Sequence, residues 1–157
     1  MWEGVRPTGE SAVRSGITHI QFAVRPEEDA VAIDEYLKAL VPVPSPLLVN
    51  GQLSESAKRG KALFMSEKIG CGVCHPEPLY TDLMMHDVES KGPYDRRLDF
   101  DTPSLNECWR TAPYLHDGRY TTIRQLLKEG KHGHKQGPVE KLTDQEINDI
   151  AEFVLSL

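Results

Sequence analysis

The stretch Cys71-Gly72-Val73-Cys74-His75 decides the fold of this chain. It matches C-x-x-C-H, the pattern that attaches a c-type haem. Two thiols three residues apart lie on one side of a single helical turn, where both can add to the vinyl groups of one porphyrin. The imidazole that follows then reaches the iron, so His75 is predicted as the proximal ligand. The sequence therefore predicts one haem c, held covalently by Cys71 and Cys74.

Two other kinds of site use a C-x-x-C pair, and the rest of the sequence disfavours both. A zinc site needs a second pair of ligands at ordered spacing, but Cys108 is the only other cysteine. A redox dithiol is typical of a βαβ setting, and no β-rich run precedes Cys71. Cys108 lies in an apolar-leaning segment, where a free thiol is expected to behave as a small buried hydrophobe.

The composition is that of a globular protein. The chain has 157 residues, 27% of them charged, 39% hydrophobic and a formal net charge of −6, which allows one domain, or one domain with an appendage. No apolar run is long enough to span a bilayer. The acidic balance and scattered basic residues disfavour nucleic acid, and the sequence leaves the oligomeric state open.

Covalent haem attachment predicts a periplasmic or otherwise exported protein. The first residues, Met1-Trp2-Glu3-Gly4, lack the basic and apolar regions of a signal peptide. We therefore expect the chain to be a mature fragment, such as the cytochrome module of a larger exported redox protein.

Capping signals and apolar spacing predict the helices of the chain. Pro26 and three acidic residues open a helix whose apolar stripe comprises Ala30, Ile33, Tyr36/Leu37 and Leu40. A proline-rich run over residues 41–46 follows, which cannot continue a helix. We place a domain boundary there: residues 1–45 form an N-terminal appendage, 46–53 a linker and 54–157 a cytochrome domain.

Three further helices are predicted in the cytochrome domain. Ser54 is a good N-cap for a helix that includes Gly60 and Phe64. Thr122 caps a short helix that ends before Gly130. Thr143-Asp144-Gln145-Glu146 is a capping box before a final amphipathic helix. Few strands are predicted, and loops are expected where haem rather than side chains fills the core.

The order of short sequence features in the N-terminal part of the chain is similar to that in the C-terminal part. Each contains a W/H-x-G segment, a short helical segment, a histidine (His19 or His132) and an amphipathic helix, although the spacings differ by a few residues. This similarity predicts that residues 1–45 are the closing half of a first haem domain, and that His19 has lost its haem.

The stretches Asp101–Asn106 and Thr111–Arg119, with their T-A-P-Y-x-H-D-G string, are specific enough to indicate a family. They resemble the bacterial di-haem cytochrome c peroxidase and MauG-like family, in the domain that carries the second, electron-transfer haem. The resemblance covers residues 54–157. It implies an all-α, class I cytochrome c-like fold in which the last helix crosses the first, and a redox partner protein or a second haem domain.

The resemblance also indicates where the distal haem ligand should lie. In the family this ligand, usually methionine, follows the string at a position that corresponds here to Gly130, which cannot coordinate iron. His132 is the favoured replacement and His134 the second choice. Met85 and Met84 are alternatives with soft thioether sulfur, and gap filling is the expected role of both. His86 is a weaker candidate.

Four residues of the string or beside it are predicted near the cofactor. Tyr114 and Arg119 are expected to contact the haem, Arg119 through a propionate, and Arg110 is a second candidate for that role. His116 is expected to pack near the haem edge.

Two functions remain open at this point. With two axial side chains, the domain would transfer single electrons and would not itself be an enzyme. With an open or displaceable distal position, it would be a haem peroxidase that reduces hydrogen peroxide, and His116, His132 or His134 would be its acid-base group. The single haem motif favours electron transfer.

Overall fold

The computed structural model describes residues 6–133, 135 and 137–157. These residues form two compact units, 6–42 and 43–157. The candidate site lies in the second unit. No helix in the described part of the chain is both long and apolar enough to cross a membrane.

The first unit is a pair of helices joined by an irregular segment. Helix α1 spans Gly9–Ser15 and continues into a π-helical turn over Gly16–Ile20, and α2 spans Glu27–Ala39. Thr8 caps α1 through its side chain. Arg14 joins the two helices, since it binds Glu27 and reaches Asp34 at 2.7 Å.

The apolar stripe predicted on α2 is buried only in part. Ala30 is 3% exposed, whereas Ile33, Leu37, Leu40 and Tyr36 are between 39% and 65% exposed. The segment before α2 is also open to solvent, with Ile20, Phe22 and Val24 all more than three-quarters exposed. The first unit thus presents much of its apolar surface outward.

The second unit is helix-rich with a minimal sheet. Its helices are α3 (Glu55–Phe64), α4 (Cys71–Cys74), α5 (Ile123–Lys128) and α6 (Asp144–Leu155), with 3-10 turns at Cys108–Arg110 and Val139–Lys141. Strands β1 (Met85–His86) and β2 (Phe100–Asp101) pair antiparallel, with His86 opposite Phe100. The segment predicted as a linker, 46–53, forms a turn closed by a bridge between Val49 and Gln52.

Helices α3 and α6 pack against each other in the second unit. Ser54, Thr122 and Thr143 cap α3, α5 and α6 through their side chains, as the sequence predicts, and Thr143 forms its capping box with Glu146. Phe64 and Phe153 meet edge to face, with ring centroids 5.3 Å apart. This crossing closes one side of the core and holds the residues after α3 over a large cavity.

Candidate haem site

A large apolar cavity lies at the centre of the second unit. It has about 1320 Å³ of empty space, with its open mouth included, and its lining combines α3, α4, α5 and α6 with the loops between them. Apolar side chains dominate the lining, and no lysine or arginine of the described residues contributes to it. This apolar lining suits a mostly apolar cofactor.

Cys71, Cys74 and His75 all line this cavity, at the short helix α4. Gly70 precedes the helix with φ 75°, a left-handed conformation that glycine adopts without strain. Burial raises the pKa of Cys71 to about 11 and also raises that of Cys74. Both thiols are free of disulfide bonds, so the structure leaves them available for thioether bonds to one porphyrin.

A backbone carbonyl fixes the orientation of the His75 ring. His75 is 9% exposed, and its Nδ1 lies 2.8 Å from the carbonyl oxygen of Tyr80. Because a carbonyl only accepts, Nδ1 carries the hydrogen, and Nε2 keeps the lone pair that a metal needs. Burial lowers the pKa of His75, which favours the neutral, ligating form.

His132 also lines the cavity, with its ring centroid 6.5 Å from that of His75. With metal–nitrogen bonds of about 2.0 Å, two rings at this separation could hold one metal ion between them. Burial, and secondarily the proximity of His75, lowers the pKa of His132 to about 4, so this imidazole is neutral near pH 7.

Gly130, the position at which the family resemblance predicts the distal ligand, has no room for a side chain. A Cβ there would lie 2.6 Å from the Leu126 carbonyl oxygen and 2.8 Å from the Tyr120 ring. The backbone N–H of His132 donates to that same carbonyl of Leu126. The chain after α5 is therefore packed so that His132, two residues on, enters the cavity.

The two methionine candidates for distal ligand lie outside the cavity lining, whereas His86, the weaker candidate, lies within it and contacts Asp82. Met84 is 60% exposed, and Met85 lies in β1 opposite Asp101; neither is among the residues that line the cavity. His134 lies outside the described residues. Of the predicted candidates, the structure thus brings together His75 and His132.

Two imidazole–carboxylate pairs on the cavity wall were missed by sequence reasoning. His86 Nε2 lies 2.7 Å from Asp82 Oδ2, and His116 Nε2 lies 2.7 Å from Asp95 Oδ2. The His116 ring also stacks on Phe100, at 4.0 Å between centroids and 17° between planes. Asp95 precedes His116 by 21 residues in an irregular segment, and no periodic pattern signals such a pair.

The Asp82 pair lies beside Cys74. Ligand atoms of Cys74, Asp82 and His86 all fall within 4.8 Å of one another. A Cys74 sulfur bonded to porphyrin would leave only two of these ligands, too few for a closed metal site.

Of the residues predicted to contact the cofactor, one lies in the cavity lining and two lie outside it. Tyr114 lines the cavity and donates its hydroxyl to the Cys108 carbonyl at 2.9 Å. Arg119 binds Asp117 and the Ser90 carbonyl, and Arg110 binds Glu107 and stacks on Trp109. Neither arginine is part of the cavity lining.

Comparison with known proteins finds several curated relatives of this chain. No family model matches the chain. It is 27% identical to hydrazine synthase subunit gamma of Kuenenia stuttgartiensis, over 78% of this chain and 47% of the relative. It is 30% identical to MauG of Methylorubrum extorquens, over 67% and 35% respectively, and 28% identical to a cytochrome-c peroxidase of a Pseudomonas species, over 80% and 48%. The chain thus spans between about a third and a half of the length of these relatives.

Two solved structures share the fold. Hydrazine synthase of Kuenenia stuttgartiensis superposes with a TM-score of 0.75 at 23% identity, over 93% of this chain and 60% of that one. A MauG-like protein associated with microbial copper homeostasis gives 0.72 at 21% identity, over 100% and 68%. The chain is therefore a homologue of MauG, cytochrome-c peroxidases and hydrazine synthase subunit gamma, which confirms its resemblance to the di-haem cytochrome c peroxidase and MauG-like family.

Proposed function

We propose that residues 54–157 form a c-type cytochrome domain that transfers single electrons through one covalent haem. Cys71 and Cys74 would hold the porphyrin, and His75 and His132 would be the axial ligands. The haem would supply a one-electron iron couple, with a lower potential than histidine–methionine ligation gives. A haem redox role is also supported by the relatives, which include cytochrome-c peroxidases and MauG.

The observation that carries this proposal is the 6.5 Å separation of the His75 and His132 ring centroids, both rings belonging to the cavity lining. Two neutral imidazoles at this spacing can fill both axial positions of one iron. An iron with both positions filled has no place for peroxide, so the arrangement favours electron transfer.

A haem peroxidase remains the second candidate. Some relatives are named cytochrome-c peroxidases, and His116, on the cavity wall, has the carboxylate partner that an acid-base histidine needs. This function requires that His132 leave the iron when peroxide arrives. It also requires a second electron source, because the chain contains a single C-x-x-C-H motif.

We further propose that the domain works within a larger exported redox protein, beside a second haem domain or a redox partner protein. The similarity between the N-terminal and C-terminal parts of the chain supports a second haem domain. Thr8 caps α1 as Thr122 caps α5, and a histidine follows each helix by four residues, His19 after Ser15 and His132 after Lys128. The exposed apolar face of α2 fits a helix that closes another haem domain.

Electron paramagnetic resonance of the oxidised, haem-loaded chain tests the proposal. We expect a low-spin, bis-histidine spectrum that becomes high-spin in His132→Ala. His19→Ala is the matched control, because His19 is exposed in the first unit, and its spectrum should not change. A high-spin wild-type protein that reacts with added peroxide would support the peroxidase instead, and a low-spin His132→Ala protein would move the ligand to another residue.

A further inference from the structure

Three potential metal ligands meet at the C-terminal end of α4. Ligand atoms of Cys74, Asp82 and His86 all lie within 4.8 Å of one another, and Asp82 Oδ2 is 2.7 Å from His86 Nε2. Thiolate, carboxylate and imidazole are the three kinds of side-chain group that hold zinc in proteins. Because a ligating cysteine and a ligating aspartate are both anionic, they would together balance the two charges of Zn²⁺.

The backbone brings these three residues together. The Asp82 N–H donates to the Cys74 carbonyl at 3.0 Å, which holds the loop after the haem motif against α4. Asp82 Oδ1 accepts the Met84 N–H at 3.0 Å, so Oδ2 is the carboxylate oxygen directed at His86. His86 lies in β1, where pairing with β2 sets it opposite Phe100. The ligands therefore lie on backbone that the fold has already ordered, which lowers the entropy cost of binding an ion.

An ion can reach this cluster. The side chains of Asp82 and His86 are 18% and 30% exposed, and Cys74 and His86 also line the cavity. Zinc bonds are about 2.0–2.3 Å long, so ligand atoms this close can meet on one ion after small side-chain rotations. Three protein ligands leave the fourth tetrahedral position to water. His86 would bind through Nε2, with its ring hydrogen on Nδ1.

We propose that the haem-free chain binds one Zn²⁺ ion through Cys74, Asp82 and His86, and that this ion and the haem exclude each other. The zinc–sulfur bond forms as the thiol proton passes to water. A thioether bond to the porphyrin uses the same sulfur, so attachment at Cys74 requires the ion to leave. Zinc thereby competes with haem loading. The exclusion rests on the proposed attachment at Cys74, whereas the zinc site itself does not.

Calorimetric titration of Zn²⁺ into the haem-free full chain tests the site. We expect one ion per chain. Loss of an outer-shell partner alone weakens metal binding about 10–100-fold, so losing a ligand, as in Asp82→Asn or His86→Gln, should weaken it about 100-fold or more. His116→Gln is the matched control, because His116 belongs to the other imidazole–carboxylate pair of the cavity wall, and its affinity should match the wild type. Unchanged affinity in His86→Gln would overturn the proposal.

Co²⁺ used in place of Zn²⁺ identifies the sulfur ligand. We expect a sulfur-to-metal charge-transfer band that disappears in Cys74→Ser and persists in Cys71→Ser. Cys74→His, which keeps a zinc ligand at this position, should recover the Zn²⁺ binding that Cys74→Ser loses, and this recovery separates a lost ligand from a lost fold. A band that requires Cys71 would assign the ion to the C-x-x-C pair and overturn the proposal.

The haem-loaded protein tests the exclusion. We expect no Zn²⁺ binding at the affinity of the haem-free chain, because the Cys74 sulfur is already bonded to the porphyrin. Equal affinity in the two forms would overturn the exclusion. Failure of the proposed function looks different: the chain would take up no covalent haem, or would hold it high-spin, while the titrations of the haem-free chain would keep their result.

Discussion

Gly60 of α3 and Asp149 of α6 touch through their backbones. A Cβ on Gly60 would lie 1.9 Å from the Asp149 carbonyl oxygen, so no side chain fits between the helices. We expect Gly60→Ala to lower the free energy of unfolding by about 3 kcal/mol, at the upper end of overpacking penalties, because rigid backbone must move. Urea denaturation measures the change. Gly9→Ala is the control, because nothing lies within 4 Å of a Cβ there; equal losses in both variants would contradict the close contact.

The buried carboxylate of Asp149 should make the free energy of unfolding fall in acid. Two hydrogen bonds from Arg59, at 2.8 Å each, hold the pKa of Asp149 well below its usual value, and Ser56 and Gln145 also donate to it. A lowered folded-state pKa stabilises the protein above the unfolded pKa of about 3.9, and this contribution is lost as pH falls below it.

We therefore expect the free energy of unfolding of the wild-type protein to decline from about pH 5 toward pH 2. Asp149→Asn should be less stable at neutral pH and should show a shallower decline, both measurable by urea denaturation at a series of pH values. Glu67→Gln, at an exposed position, should follow the wild-type curve. A decline of unchanged steepness in Asp149→Asn would assign the acid sensitivity to other carboxyls.

Counting the free thiols tests whether the haem is attached covalently through Cys71 and Cys74. The chain has three cysteines, and attachment at Cys71 and Cys74 leaves only Cys108, which is 7% exposed and has its pKa raised to about 11 by burial. In the haem-loaded protein, Ellman's reagent should find almost no thiol in the native state and one per chain in guanidinium. The haem-free chain should give three on unfolding. Two or three thiols in the unfolded haem-loaded protein would rule out two thioether bonds.

Introducing methionine at position 130 should not provide the iron with the methionine ligand that is usual in the family. In Gly130→Met the new Cβ meets the Leu126 carbonyl and the Tyr120 ring, so we expect a loss of stability of roughly 1–3 kcal/mol. The low-spin bis-histidine spectrum should remain. Gly130→Ala should be similarly destabilised, which separates the effect of the Cβ from that of the thioether. A methionine–iron charge-transfer band in Gly130→Met would show that the loop can rearrange.

Local chemistry explains which parts of this structure were predictable. The C-x-x-C-H spacing and the caps at Ser54, Thr122 and Thr143 depend on short-range pattern, whereas the contact of α3 with α6 was expected from the family resemblance. Resemblance to a family pointed to position 130, and the two histidines beyond it then indicated His132. Each of these inferences used residues close together in the sequence or a motif specific to the family.

The cavity wall was harder to predict because loops build it. The pair of Asp95 and His116 joins two irregular segments that have no apolar period, so sequence spacing carries no information about their contact. Asp117 and Glu107 bind the guanidinium groups of Arg119 and Arg110, and the roles expected for these two arginines at the haem stay predictions.

The hydrogen bond from His75 to the Tyr80 carbonyl would also bear on the speed of the proposed electron transfer. The hydrogen bond at Nδ1 restrains rotation of the His75 imidazole, and the backbone of His132 is held by its bond to the Leu126 carbonyl. The coordination geometry would then change little between oxidation states. In such a site the reorganisation energy is small, and electrons can pass with little nuclear motion in either direction.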